Sequence, residues 1–101
     1  MYSVNNLNKL PQLGELSPEA MSTFQAFDKA ALADGVIPKK YKELMAIAVA
    51  LTTQCPYCIE VHRQQALKAG ATEKELADVV FVASALRAGG AITHGTHLFE
   101  G

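Results

Sequence analysis

The chain has 101 residues, half of them apolar, and a formal net charge of −1. That is enough for one core and not for two, and the balance excludes a disordered chain. Nine basic residues with no block longer than Lys39-Lys40 leave no phosphate-neutralising face, which argues against nucleic acid and against an anionic membrane surface.

The reading is a single domain over residues 1–101, with residues 1–16 as a polar N-terminal arm or short helix. That segment lacks the basic start and long apolar stretch of a signal peptide. Ser17, Pro18 and Glu19 then predict a helix start: an N-cap, a proline at the first position and an acid in the first turn. Met21, Phe24, Phe27, Ala31 and Leu32 continue at helical spacing, and Asp34-Gly35 is the expected stop. Pro38 opens a second helix with a stripe of Tyr41, Leu44, Met45, Ala48 and Leu51. Residues 44–51 form the longest unbroken apolar run, eight residues where a membrane span needs about 20. The part from Ala46 to Leu51 is expected to be buried on all sides. Together these features predict a soluble, cytoplasmic protein with no membrane partner.

After Thr52-Thr53-Gln54 comes Cys55-Pro56-Tyr57-Cys58, with Pro56 suited to the first position of a third helix that stops at Gly70. Thr72 and Glu75 form a capping box for a fourth helix carrying Leu76, Val79, Val80, Ala83, Leu86 and Arg87. Gly89-Gly90 is expected to break or kink it, and residues 91–99 to form a last short helix. Strand signals are weak. The predicted fold is all-α, a compact bundle of four or five helices with short loops.

The two cysteines form one CxxC. A disulfide between them closes a loop so short that it constrains the unfolded chain by only about 2 kcal/mol, which favours chemistry over architecture. With Cys55 as N-cap, Cys58 is the third helical residue, and both sulfurs sit at the positive end of the helix dipole, which favours a thiolate. His62 lies one turn beyond Cys58 on the same face and can exchange a proton with it. Glu43, on the preceding helix, reaches the dithiol if the two helices form an antiparallel hairpin.

Glu43, the Cys55-Pro56-Tyr57-Cys58 motif and His62, with the helix stop at residues 68–72 and the capped helix after it, resemble the AhpD-like alkylhydroperoxidase branch of the carboxymuconolactone decarboxylase superfamily. The resemblance covers residues 38–88. It implies a thiol peroxidase or disulfide oxidoreductase in which Cys58 attacks the peroxide, Cys55 resolves the sulfenic acid, and Glu43 and His62 form a proton relay. It implies a hydroperoxide or disulfide substrate, reduction by a dithiol partner such as a lipoyl domain or thioredoxin-like protein, and a homo-oligomer, a trimer or hexamer. It calls for no cofactor and no metal. Where the best-studied type has a histidine before the second cysteine, this chain has Tyr57, which is no base near neutral pH. Thiol–disulfide exchange is therefore an alternative emphasis.

Other readings stand beside it. CPYC also occurs in glutaredoxins, but there it follows a strand and precedes a cis-proline, and no proline follows Pro56 here. Cys55, Cys58 and His62, with Glu43, His94 or His97, would make a zinc site. A redox-sensing oligomer without turnover is a third. Glu43 would then be only a first-turn acid on its helix, and His62 a surface residue.

Overall fold

The computed structural model describes residues 3–99. The first two residues of the predicted arm and the last two of the chain lie outside them. A 3-10 helix at Val4–Lys9 leads into α1 (Leu10–Leu16), α2 (Pro18–Leu32), α3 (Lys39–Thr53), α4 (Pro56–Lys68) and α5 (Glu73–His94), and a 3-10 turn at Gly95–Leu98 follows. The fold is all-α with five α-helices, as the periodicity predicted, and no strand occurs among the described residues.

α3, α4 and α5 form the bundle, with α3 packed against both others. Its core is small. Ile47, Ala66 and Ala71 are buried, and Leu44, Leu51, Leu76 and Val79 close around them. Alanines at the crossings let the helix backbones approach closely. Polar links lock the three helices. Lys40 pairs with Glu75 at 2.8 Å, and Glu75 also completes the capping box by accepting from the Thr72 N–H at 2.9 Å. Arg87 donates to the Thr52 carbonyl at 2.6 Å, satisfying an end carbonyl of α3 from α5.

α1 and α2 pack on each other and lie more loosely on the rest. Gly14 allows this: a Cβ there would stand 3.3 Å from Met21 Cγ.

Of the two forms expected for the N-terminal segment, the short helix is the one observed: residues 4–16 form the 3-10 helix and α1. Three expectations need correction. α2 ends at Leu32 with Ala33 extended, two residues before Gly35, which does not take the left-handed conformation. That conformation occurs instead at Gln54 (φ 58°), which ends α3, and at Gly70 (φ 100°), which ends α4 as expected. Gly89-Gly90 does not break the last helix: α5 runs unbroken to His94 and the expected final helix is only a 3-10 turn. Each glycine costs roughly 1 kcal/mol relative to alanine, too little to interrupt a long helix that is otherwise well formed and capped. Residues 46–51 are not buried all round either, since Val49 is 61% exposed. α4 and α5 cover only part of α3.

This exposure is general. The radius of gyration is 16.9 Å, where a compact chain of this length has about 13 Å. The accessible surface is 7850 Å², where about 5,500 Å² is usual for this mass. Phe24 and Phe27 on α2 and Phe81, Leu86 and Ile92 on α5 lie open. The stretch Glu73–Leu98 is also long and apolar enough to cross a membrane by length and composition, a feature that counting unbroken apolar runs did not register. In this fold one face of α5 packs on α3 and the other is bare.

Candidate active site at the α3–α4 hairpin

Gln54 turns the chain sharply, and the Cys55 N–H bonds back to the Ala50 carbonyl at 3.1 Å. Cys55 is the N-cap of α4 and Pro56 occupies the first turn. This places Cys58 at the third helical position, as the spacing predicted. The Cys58 N–H, one of the unpaired donors of the helix start, points at Cys55 Sγ at 3.3 Å. The two sulfurs are 2.7 Å apart and both thiols are free. A disulfide needs about 2.05 Å, so closure takes only a small rotation of the side chains.

The two sulfurs differ. A hydrogen bond from the Cys58 side chain and another from its backbone N–H hold the Cys55 thiol below its ordinary value of 9.0. The Cys58 thiol is pushed up to about 11, first by its hydrogen bond to Cys55, then by desolvation and the Cys55 charge, with Asp28 of α2 adding a smaller effect. The pair therefore loses its first proton with the charge resting on Cys55. Cys58 is nonetheless the more exposed of the two.

The antiparallel run of α3 and α4 brings Glu43 and His62 together. Glu43 is 1% exposed, and its Oε1 lies 2.6 Å from His62 Nδ1. Its Oε2 accepts from Lys39 Nζ at 2.9 Å. Burial pushes the Glu43 carboxyl up, but hydrogen bonds from His62 and Lys39 outweigh this and leave it below its ordinary 4.5. An ionised carboxylate only accepts, so Nδ1 carries the proton and Nε2 is left as the basic nitrogen of the neutral ring. A carboxylate that fixes the tautomer of a histidine base recurs in hydrolytic triads. Glu43 lies beyond the first turn of α3, so it is not a helix-dipole acid.

Among the described residues no hydrogen bond joins either sulfur to Glu43 or His62. The structure thus assembles two pairs, Cys55 with Cys58 and Glu43 with His62, one helical turn apart on α4. No three His, Cys, Asp or Glu side chains among the described residues converge closely enough to hold a metal ion, so the zinc reading lacks a donor set. His94 and His97 are exposed and pack edge-to-face with each other, with ring centroids 5.0 Å apart.

Sequence reasoning did not single out two residues near this site, Lys39 and Asp28. Lys39 was legible as the i−4 partner of Glu43. Asp28 of α2 had no sequence signal. Nor did the contacts of Tyr57, whose Oη accepts from Asn6 Nδ2 at 3.0 Å and from the Ser3 N–H at 3.4 Å, across more than 50 residues of chain.

An all-helical bundle with a CxxC at the start of one helix and a buried glutamate paired to a histidine one turn along defines the class: an α-helical protein with a vicinal dithiol site. Residues 18–101 match the Carboxymuconolactone decarboxylase family, and the chain belongs to it. The chain is 44% identical over 85 residues to uncharacterized protein 4 in the cox locus of Paracoccus denitrificans, a match covering 81% of this chain and 77% of that one. Among solved structures it is similar to a carboxymuconolactone decarboxylase family protein from Legionella pneumophila, with a TM-score of 0.76 and 38% identity over 79% of this chain and 71% of that one. It is also similar to a protein from Methanobacterium thermoautotrophicum, with a TM-score of 0.80 and 34% identity over 85% of this chain and 97% of that one.

Proposed function

We propose that this chain is a dithiol oxidoreductase of the alkylhydroperoxidase type, which reduces hydroperoxides or partner disulfides by cycling Cys55 and Cys58. The observation that carries this reading is the pair of free thiols 2.7 Å apart at a helix N-terminus, one turn from the hydrogen-bonded Glu43–His62 pair. Membership of the family supports it.

Cys58, the more exposed sulfur, meets the substrate. Its proton passes to His62 Nε2 directly or over a water, and the Glu43 carboxylate stabilises the imidazolium that forms. The Cys58 thiolate attacks the terminal peroxide oxygen. The O–O bond breaks, the sulfur becomes a sulfenic acid, and the alkoxide takes the proton from His62. Cys55 then attacks the Cys58 sulfur, the S–S bond forms, and the hydroxyl leaves as water with the remaining thiol proton. One peroxide is reduced by two electrons and two thiols become one disulfide. A dithiol reductant of the lipoyl or thioredoxin-like kind returns both thiols by exchange. With Tyr57 in place of a histidine and Cys58 held at about 11, peroxide attack is slow at neutral pH, and exchange with partner disulfides shares the same sulfurs.

The open faces of α2 and α5 fit a homo-oligomer in which further copies of the chain cover them. Sedimentation of the native protein as a 10.8 kDa monomer at micromolar concentration would remove that part of the proposal.

A dimedone adduct tests the sulfur assignment. In Cys55→Ser, peroxide should leave a trapped sulfenic acid on Cys58, and Cys58→Ser should lose peroxide consumption. A Cys58→Ser protein that turns over peroxide as fast as wild type overturns it.

A further inference from the structure

Glu43 keeps its charge in a place where water does not reach it. Each of its oxygens has one partner, His62 on Oε1 and Lys39 on Oε2. Lys39 is itself held from two sides. Its backbone N–H donates to Asp34 Oδ1 at 2.6 Å, which fixes the start of α3. Its ammonium donates to the Leu32 carbonyl at 3.2 Å, an end carbonyl of α2, as well as to Glu43. Neighbouring Lys40 turns the other way, to Glu75 on α5. The titratable groups facing Glu43 are therefore Lys39 from its own helix and His62 from α4.

We propose that Lys39 is a positioning residue of this site: clamped between the Leu32 carbonyl and Glu43 Oε2, its ammonium keeps the carboxylate ionised and turned so that Oε1 meets His62 Nδ1. The catalytic consequence rests on the dithiol reading above; the electrostatic one does not. Without the ammonium, Oε2 is buried with no donor, and the carboxylate either takes up a proton or rotates. In both cases His62 loses the acceptor that fixes its tautomer, and Nε2 is no longer reliably the base. The same clamp joins the end of α2 to the site, so a movement of α2 reaches the carboxylate through one side chain.

The test follows Glu43 and His62 by NMR in the reduced full-length protein. In Lys39→Met the Glu43 carboxyl midpoint should rise by about one pH unit, and the His62 ring nitrogens should show a mixed tautomer at neutral pH. In Lys39→Arg, which keeps the charge, both should return most of the way to wild type. The acid limb of peroxide consumption should move upward with the midpoint. If Lys39→Met does not fold, Lys39→Gln removes the charge while keeping a donor, and the same rise is expected. A Glu43 midpoint and a His62 tautomer unchanged in the folded charge-removed variant overturn the proposal. A midpoint that rises in a protein with no peroxide or disulfide activity leaves Lys39 in its role and overturns the dithiol reading. Activity with an unmoved midpoint does the reverse.

Discussion

Replacing Cys55 by serine removes the group that suppresses Cys58. The Cys58 thiol stands at about 11 against an ordinary 9.0, and the largest cause is its hydrogen bond to the Cys55 sulfur, with the Cys55 charge adding to it. Loss of both brings Cys58 back toward 9.0, while desolvation and Asp28 remain. A full return is about two units, or a hundredfold more Cys58 thiolate at pH 7.5. Thiolate nucleophilicity falls as the pKa falls, with a Brønsted slope of about 0.4–0.5, so the gain in alkylation rate is roughly tenfold rather than a hundredfold. Cys58 is exposed, and solvent screening trims this to about three- to tenfold. The assay is the rate of iodoacetamide alkylation of each cysteine against pH, read by peptide mass spectrometry. Wild type should show two ionisations, the first below 9.0 on Cys55 and the second near 11 on Cys58. Cys55→Ser should show one, between those limits, with faster labelling of Cys58 at neutral pH. A single midpoint at or above 11 in Cys55→Ser refutes the reasoning, because Cys58 would then be suppressed by something other than its neighbour.

Two further predictions concern the frame. The Glu43 carboxyl is depressed in the folded protein, so its contribution to stability is present above about pH 4.5 and is lost as pH falls through the folded value. Glu43→Gln should therefore flatten the acid limb of stability against pH in urea unfolding and cost about 1–3 kcal/mol at neutral pH; an unchanged acid limb contradicts the pairing. Thr72→Ala removes half of the capping box at the start of α5 and should cost about 1 kcal/mol, lowering Tm by about 4–8 °C at fixed protein concentration. An unchanged melt by circular dichroism contradicts that.

Local chemistry made much of this legible in the sequence. Cys55 as N-cap, Pro56 in the first turn, the capping box of Thr72 and Glu75, and the stop at Gly70 are all decided within one turn of helix, and the structure shows each of them. The misjudged points depended on what lay further away or on small energies summed over length. Gly89-Gly90 looked like a break because each glycine disfavours helix, yet α5 is long enough to absorb both. Residues 46–51 looked buried because they are apolar, but apolarity does not reveal how much of α3 one chain can cover. At the site, an antiparallel hairpin predicts Glu43 beside the dithiol, but the carboxylate meets His62 at 2.6 Å instead, in a burial that spacing does not encode. The inversion between the sulfurs, with charge favoured on Cys55, comes from side-chain rotamers that no spacing encodes.

Oxidation of the reduced protein by one equivalent of hydroperoxide tests the central claim most directly, with the products resolved by peptide mapping and the thiols counted before and after addition of a dithiol reductant. The account predicts loss of both thiols to a Cys55–Cys58 disulfide within one chain and full recovery of both on reduction. Thiols that survive the peroxide, or a disulfide that forms only between chains, would contradict it.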